Sequence, residues 1–195
     1  KTLLNGKVVV EEKMDGKPVL MVGEKYSLFC EDLKQKHSIS YVIPARYVIF
    51  DILDKENNSL LSAKNKIEIY KEIKQMEYFQ KTPFLLYPND TPIYPDSLFL
   101  IPILEYGHFK LEELPSLIRY SYYTKEPNSY MEGIVVKTAS SSLITNTNRS
   151  GKLVREEFTN QITVHYLRKK AEYNIINPNM KEYDSLSKIS ISMLP

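Results

Sequence analysis

Short runs of mainly hydrophobic residues, rich in valine, isoleucine and aromatic residues, fill much of the first third of the chain. Such runs are typical of β-strands, and turn-forming polar residues and glycines separate them. Asp15-Gly16 and Gly23-Glu24 divide the first three runs, and a turn cluster at 54–59 closes the fourth. The pattern therefore predicts four strands, at residues 7–14, 18–22, 26–30 and 46–53.

The middle of the chain changes to a helical period. Ser62 is a favourable N-cap residue, and behind it Ile69, Ile73 and Met76 recur at i, i+4 and i+7, which predicts one apolar face of a helix. Four prolines between residues 83 and 95 then remove backbone donors at short intervals. We therefore predict an irregular surface loop over these residues.

The remaining pattern predicts five further elements. A single buried strand is expected at 98–104, and a helix at 112–121 with Pro115 in its first turn. Strands are expected at 133–137 and 152–154 around a polar loop, followed by a closing helix at 159–174. Because the hairpins and helices are segregated along the chain, the pattern favours an α+β fold over a parallel βαβ fold.

The composition sets bounds on architecture and location. The 195 residues suffice for one sizeable core, and we expect one domain at 1–176 followed by a C-terminal tail at 177–195. The net charge of +2 requires no nucleic-acid partner, although a local basic groove is compatible with it. The single Cys30 excludes an intramolecular disulfide, and no apolar run is long enough to span a membrane. We therefore expect an intracellular, cytoplasmic protein with no membrane partner.

Candidate chemistry begins at Lys13, which follows a run of three valines and two glutamates and precedes Met14, Asp15 and Gly16. A lysine amine attacks phosphorus only as the neutral base, whereas free lysine is protonated at pH 7. Partial desolvation in a strand, beside cations that would bind a triphosphate, favours the neutral form and makes covalent catalysis possible. Because Lys-x-Asp-Gly is a short motif, further motifs have to support this interpretation.

Six further strings follow Lys13 in order. They are F-C-E-D-L at 29–33, K-H-S-I-S-Y at 36–41, Y-V-I-F-D-I at 47–52, I-P-I-L-E-Y-G at 101–107, E-G-I-V-V-K at 132–137 and K-L-V-R-E-E-F at 152–158. In this order, behind Lys-x-Asp-Gly, they resemble the successive motifs of ATP-dependent RNA ligases. These enzymes belong to the covalent nucleotidyltransferases, with the other polynucleotide ligases and the mRNA capping enzymes. The resemblance extends from about residue 8 to residue 174.

The resemblance implies a fold and a reaction. The fold would be a ligase- or capping-type nucleotidyltransferase domain, similar to ATP-grasp enzymes, with antiparallel β-sheets flanked by helices and the nucleotide site between them. Lys13 would attack the α-phosphate of ATP and carry AMP, with Mg²⁺ or Mn²⁺ as cofactor. The AMP would pass to the 5′-phosphate of an RNA, and a 3′-hydroxyl would displace it to join the strand.

The resemblance also assigns roles to individual residues. Lys137 and Lys152 match the phosphate-contacting lysines, and Glu132 matches the carboxylate that faces the metal ion. Phe50 matches the aromatic residue that stacks on adenine, although a phenylalanine in this kind of strand is more often a core residue. Arg155 matches a phosphate-binding position, but the second basic residue that is usual beside it is missing here.

The remaining assignments concern the start of the chain. Glu12 matches the position that reads adenine, and Asp15 and Gly16 complete the nucleotide-binding motif. Glu31 matches the residue that binds the ribose hydroxyls, with Glu24 as a rival for this role. Each of these glutamates could equally be an ordinary charge on a strand or hairpin.

Departures from the family pattern keep other interpretations open. The segment between Lys13 and Glu31 is short and has no match to the family's arginine, for which Lys17 and Lys25 are the nearby substitutes. One alternative is a capping-type guanylyltransferase, although the H-S-I-x-Y and F-D-I strings favour a ligase. Another is a degenerate module that binds RNA ends without full ligase activity. For an active ligase, we expect an additional domain or a partner protein to help bind the RNA ends.

Overall fold

A computed structural model of the chain describes residues 2–161, 171–187 and 194. Within these residues the α-helices are α1 (Ala63–Gln75), α2 (Glu77–Lys81) and α3 (Glu156–Gln161), and short 3₁₀ helices lie at Thr2–Asn5, Pro95–Ser97, Leu111–Leu117 and Ser185–Ser187. The strands in chain order are β1 (Val8–Lys13), β2 (Lys17–Val22), β3 (Tyr26–Asp32), β4 (Val42–Ile43), β5 (Tyr47–Asp54), β6 (Ser59–Leu60), β7 (Phe84–Leu86), β8 (Thr91–Ile93), β9 (Leu98–Leu100), β10 (Ile103–Gly107), β11 (Gly133–Thr138), β12 (Ser142–Leu143), β13 (Ser150–Val154) and β14 (Ile175–Ile176).

Two β-sheets form the body of the described chain, and most of their strand pairs are antiparallel. The smaller sheet has the order β10–β1–β11–β13. The larger sheet has the order β12–β6–β5–β3–β2–β7–β8, and β9 joins it by pairing in parallel with β5. β4 and β14 form a separate parallel pair. The prediction of an α+β fold is therefore confirmed, and the four strands predicted in the first third lie within a few residues of β1, β2, β3 and β5.

The connection between the first two strands crosses from one sheet to the other. β1 lies in the smaller sheet and β2 in the larger one, and Asp15-Gly16 connects them. Gly16 is required here by close packing, because a Cβ at this position would lie 2.7 Å from Cδ2 of Leu33 and 3.0 Å from Cβ of Glu31. The end of β1, and with it Lys13, is thereby held where the two sheets meet.

The chain crosses between the sheets a second time at Pro102. The prediction of one strand at 98–104 is wrong, because β9 pairs in the larger sheet and β10 in the smaller one. Pro102 has no backbone N–H to continue a ladder, and its carbonyl instead accepts a hydrogen bond from the N–H of Glu12 at 3.0 Å. The hydrogen bond at this second crossing holds the end of β1, next to Lys13, close to the larger sheet.

Helix α1 packs against both sheets. Its start is confirmed, since the Ser62 side chain accepts a hydrogen bond from the N–H of Asn65 as an N-cap. The predicted apolar face is rotated from the observed one: Ile73 is buried, but Met76 is 50% exposed. The buried positions are Ala63, Lys66, Ile67, Tyr70 and Ile73. A lysine therefore lies on the buried side of this helix.

Two predictions for the middle of the chain are wrong. Residues 83–95 contain the hairpin β7–β8 rather than an irregular loop, and Pro92 is tolerated there because β8 is an edge strand with an unpaired side. The helix predicted at 112–121 is a 3₁₀ helix, Leu111–Leu117. Pro115 lies inside it and removes a donor that a longer α-helix would need.

The C-terminal predictions are confirmed only in part. The strands predicted at 133–137 and 152–154 are β11 and β13, and the loop between them adds the short β12. The predicted helix at 159–174 overlaps the end of α3, and its residues 162–170 lie outside the described residues. Residues 171–174 are not helical, and Tyr173 pairs with Gln35 instead. Further along, the Ser185 hydroxyl accepts a hydrogen bond from the N–H of Ile103 at 3.0 Å.

Candidate active site

An ion pair between Lys13 and Glu132 marks the candidate site. Lys13 ends β1 directly opposite Gly133, the first residue of β11, which brings the adjacent Glu132 alongside. Lys13 Nζ lies 2.6 Å from Glu132 Oε1, and the two side chains are 24% and 8% exposed. Gly133 also allows β13 to lie close to β11, because a Cβ there would lie 2.1 Å from the carbonyl oxygen of Leu153 in β13. The amine is thus reachable from solvent, whereas its partner is buried.

A cavity of about 180 Å³ opens beside this ion pair and is lined by residues of both sheets. The smaller sheet contributes Glu12 and Lys13 from β1 and Lys137 from β11, and the larger sheet contributes Glu31 from β3 and Phe50 from β5. Five residues that the sequence assigns to the site therefore line one cavity. Their nucleotide-binding roles remain predictions.

Three glutamates around the cavity carry a buried oxygen that has no hydrogen-bond partner among the described residues. These atoms are Oε1 of Glu12 and Oε2 of both Glu31 and Glu132. Burial raises the pKa of Glu12 to about 7, against weaker opposing effects of Ser121 and Arg119. Burial also raises the pKa of Glu31 to about 7, although Lys13 opposes the shift, and it raises the pKa of Glu132. Because unsatisfied buried carboxylates are costly, these oxygens are suited to a bound donor or cation.

The same unpartnered oxygens are potential ligands for a metal ion beside Lys13. The described residues contain no cluster of three or more His, Cys, Asp or Glu side chains arranged for a metal ion. Mg²⁺ differs from most protein-bound metals in this respect, since it keeps several waters and is held by one or two carboxylates together with substrate phosphates. The unpartnered oxygens of Glu132 and Glu31 are compatible with such a site.

Asp15 is engaged in local structure. Its Oδ2 atom accepts hydrogen bonds from the backbone N–H groups of Ser38, at 2.7 Å, and Ile39, at 3.2 Å. The Asp15 N–H in turn donates to the hydroxyl of Tyr41 at 3.0 Å. Asp15 therefore joins the Lys-x-Asp-Gly turn to the H-S-I-x-Y string, which gives a physical reason for both motifs to occur in one chain.

Phe50 and Glu31 are both in a position to contact a ligand. Phe50 is half-buried rather than a full core residue, and its ring lies 5.3 Å from Nζ of Lys137. Glu24, the rival of Glu31, lies outside the cavity and accepts a hydrogen bond from the Tyr78 hydroxyl. The geometry therefore favours Glu31 over Glu24 for a role beside Lys13.

Lys152 and Arg155 are not among the residues that line the Lys13 cavity. Lys152 is exposed and close enough to lower the pKa of Glu132, against the larger effect of burial. Arg155 donates from Nε to the carbonyl oxygen of Met131 at 2.6 Å, and its N–H donates to the carbonyl oxygen of Glu132 at 3.0 Å. Its guanidinium lies over the ring of Tyr130, beside a separate open depression of about 710 Å³. Arg155 therefore holds the backbone that carries Glu132 and does not line the Lys13 cavity.

A buried charge cluster adjoins the cavity and consists of Glu11, Asp51, Lys66, Lys137 and Arg149. Its members Glu11, Asp51 and Lys137 line the cavity. Glu11 forms ion pairs with Lys66 and, at 2.7 Å, with Lys137. Asp51 forms ion pairs with Lys137, at 3.1 Å, and with Arg149. Burial alone would lower the pKa of Lys137, but Asp51 and Glu11 together raise it above its ordinary value. For Lys66, burial prevails and lowers the pKa.

Four members of this cluster were not assigned from the sequence: Glu11, Asp51, Lys66 and Arg149. Asp51 belongs to the F-D-I string and Glu11 to the run before Lys13, so a signal was present for both. Lys66 could have been found from the correct phase of α1, which places a lysine on the buried face. Arg149 lies in the polar loop before β13 and carried no signal. Like Lys17 and Lys25, it does not line the cavity, but its guanidinium pairs with Asp51, which does.

Comparison with known protein families adds evidence independent of this geometry. A family model described as RNA ligase matches residues 20–154, more than half of the chain. The chain belongs to the RNA ligase family. Membership supports RNA ligase activity in general and RNA as the substrate. The match begins after Lys13, so the assignment of the nucleophile in this RNA ligase rests on its motif and its contacts.

Neither the curated proteins nor the solved structures contain a match to the chain. Among the described residues, no helix combines the length and the apolar character needed to cross a membrane.

Proposed function

We propose that this RNA ligase is ATP-dependent and acts through a lysyl-AMP intermediate on Lys13. The observation that carries the proposal is the contact between Lys13 and Glu132 beside a cavity that also holds Phe50 and Lys137. A partly exposed amine at the edge of a cavity with cations, carboxylates and one aromatic ring is suited to binding a nucleotide and attacking its phosphate. At the level of the fold, we propose a nucleotidyltransferase domain over residues 1–176, with the site between its two sheets.

The proposed reaction has three steps that balance. Lys13 Nζ, as the neutral amine, attacks the α-phosphorus of ATP; a P–N bond forms, the bond to pyrophosphate breaks, and the amine releases a proton to solvent. An oxygen of the RNA 5′-phosphate then attacks the AMP phosphorus, the bond to Lys13 breaks, and the amine takes a proton back. Finally, a 3′-hydroxyl attacks the activated 5′-phosphate and releases its proton to solvent, and AMP leaves with the electrons of its phosphoanhydride bond. Each step requires positioning and neutralisation of phosphate charge more than it requires covalent chemistry from other side chains.

The residues around Lys13 divide these tasks in the proposal. Phe50 stacks on adenine and Glu12 reads its edge, where a carboxyl group with a pKa of about 7 can accept or donate a hydrogen bond. Glu31 receives the ribose hydroxyls through its unpartnered oxygen. Lys137 and Lys152 neutralise phosphate charge. Arg155 is proposed to act indirectly, by holding the backbone on either side of Glu132.

Mg²⁺ is the cofactor that fits the donors present. Glu132 would hold the ion together with waters and phosphate oxygens. The ion would supply charge neutralisation at the phosphates. Oε2 of Glu132, which has no partner among the described residues, is available for this role while Oε1 contacts Lys13.

The proposal is tested with ATP labelled at the α-phosphate, incubated with the chain and Mg²⁺ and followed by denaturing electrophoresis. Wild type should retain label, while Lys13→Ala and Lys13→Arg should retain none, because an arginine keeps the charge but does not become a neutral nucleophile at pH 7. Lys81→Ala is the matched control, since the Lys81 side chain is 73% exposed and remote from the site. Label in either Lys13 variant at the wild-type level would overturn the assignment.

The two alternatives give different results in the same assay. A capping-type guanylyltransferase would take label from GTP in preference to ATP, which competition between the two nucleotides measures. A non-catalytic RNA-end-binding module would take no label from either. If label enters but RNA is sealed slowly, the further domain or partner expected from the sequence is the next component to add.

A further inference from the structure

Lys66 is a buried lysine that no step of the proposed reaction uses. It lies on α1, its side chain is 3% exposed, and its Nζ pairs with Glu11. The same Nζ donates to the carbonyl oxygen of Phe50 at 3.0 Å. Lys137 contacts the same two groups, with its Nζ 2.7 Å from Glu11 Oε2 and 2.8 Å from the Phe50 carbonyl oxygen. The two lysines therefore share Glu11 and the Phe50 carbonyl. Lys137 also pairs with Asp51, which has Arg149 as a second partner.

The balance of charge in the buried cluster depends on Lys66. Lys66, Lys137 and Arg149 carry three positive charges, and Glu11 and Asp51 carry two negative ones, so the cluster has one excess positive charge. Without Lys66 the remaining four groups would be neutral as a set, and Lys137 would be the cation left to compensate Glu11. A buried carboxylate that loses its cation is strongly destabilising, so Lys137 would then be held in place.

Lys137 is also the cation of the cluster that belongs to the proposed phosphate site. To reach a phosphate it has to give up at least part of its contact with Glu11. With Lys66 present, Glu11 keeps a partner when Lys137 turns away, and the Phe50 carbonyl keeps a donor. The arrangement thus allows Lys137 to move without leaving either acceptor unsatisfied.

We propose that Lys66 is a positioning residue for ATP: it neutralises Glu11 and holds the Phe50 backbone, so that Lys137 is free to bind the triphosphate. The inference rests on the proposed function. It assigns to Lys66 an indirect role, through Glu11, and not a contact with the nucleotide.

The test measures the KM for ATP and the kcat of label transfer in Lys66→Met, which keeps the apolar stem and removes the charge. We expect the KM to rise about tenfold or more with a smaller change in kcat, the pattern of a lost ground-state binding interaction. Lys66→Arg should recover part of the loss. Lys71→Met, an exposed lysine of the same helix, is the control and should match wild type.

The decisive comparison is the double variant Glu11→Gln/Lys66→Met. If Lys66 acts through Glu11, removing both charges restores the KM to near the wild-type value, a coupling that a double-mutant cycle measures. If the KM of the double variant is as high as that of Lys66→Met, then Lys66 contacts the phosphates directly or acts only on the fold. Either result would overturn the inference. The single variant Glu11→Gln provides a test that does not depend on whether Lys66→Met folds. Its KM for ATP should equal that of wild type or fall below it, and a tenfold rise would contradict the inference.

These outcomes separate the inference from the proposed function. If the wild-type chain takes no label from ATP, the proposed function fails before any variant is compared. If wild type and Lys66→Met both take label with the same KM, the inference about Lys66 fails and the proposed function stands.

Discussion

Lys13 Nζ and Glu132 Oε1 are 2.6 Å apart, at the point where β1 and β11 run side by side. The proposed nucleophile is therefore held by the carboxylate that we propose to face the metal ion. Since one carboxylate oxygen is used by Lys13 and the other has no partner among the described residues, Glu132 is able to change partners without losing all of its contacts.

Glu132→Gln should reduce lysine adenylylation by on the order of 10²-fold or more, the usual effect of removing one preorganised electrostatic group. Glutamine has the same shape, so the thermal unfolding midpoint should not fall. The measurement is the initial rate of label transfer from ATP at several Mg²⁺ concentrations, with a melting curve for each protein. Adenylylation at the full wild-type rate would remove Glu132 from the site.

Phe50→Ala should weaken ATP binding by about 1–3 kcal/mol, the usual contribution of stacking between a base and an aromatic ring. Phe50→Tyr provides the matched comparison, because a ring with an open side tolerates a hydroxyl, whereas a fully buried ring would leave it without a hydrogen bond. We expect Phe50→Tyr to bind ATP like wild type in a calorimetric titration. Normal binding of ATP by Phe50→Ala, together with a loss of stability, would show that the ring is only a core residue.

Stability should depend on pH through Glu12. Burial raises its folded-state pKa from 4.5 to about 7. Below pH 4.5 the carboxyl group is protonated in both states. Between pH 4.5 and 7 the unfolded chain releases this proton while the folded chain retains it, so the contribution of Glu12 to stability falls as pH rises, by on the order of 3 kcal/mol in total.

Glu12→Gln removes this titration. Urea unfolding at pH 4.5 and pH 8 should show that the variant gains stability relative to wild type as pH rises. Glu68→Gln, at an exposed position of α1, serves as the control and should follow wild type at both pH values. A Glu12→Gln variant whose difference from wild type does not change with pH would contradict the account of Glu12.

Variants of Asp15 test whether its carboxylate has a structural role. Its carboxylate accepts the backbone N–H groups of Ser38 and Ile39, so Asp15→Ala should cost about 1–3 kcal/mol of folding stability and leave both amides unprotected. Asp15→Asn keeps an acceptor oxygen and should retain most of this stability. Hydrogen exchange at Ser38 and Ile39 is the direct measurement. Unchanged protection in Asp15→Ala would mean that the carboxylate serves another purpose.

Local periodicity was sufficient for most of the early fold. The strands β1, β2, β3 and β5 and the cap at Ser62 are predictable because turn residues, runs of strand-forming residues and N-cap residues are local signals. The errors occurred where position in a sheet decides the structure. Pro92 is compatible with a strand only because β8 lies at an edge. Pro102 divides the run 98–104 into two strands because β9 and β10 belong to different sheets, which the local sequence does not specify.

The candidate site was predictable to the extent that its motifs are local strings. Lys13, Glu132 and Lys137 lie in two short motifs that β1 and β11 bring together by direct pairing. The buried charge cluster was not predictable in the same way. Its ion pairs join α1 to β1 and the loop before β13 to β5, and a lysine at position 66 shows its role only when the phase of the helix is known.

The most direct test of the central claim is to locate the AMP. The wild-type chain is incubated with ATP and Mg²⁺, and its intact mass and proteolytic peptides are measured by mass spectrometry. The account predicts one adenylyl group per chain, on Lys13, with one pyrophosphate released for each group attached. An adenylyl group on another lysine, such as Lys137 or Lys152, or no covalent adduct under conditions in which the chain joins RNA, would contradict it.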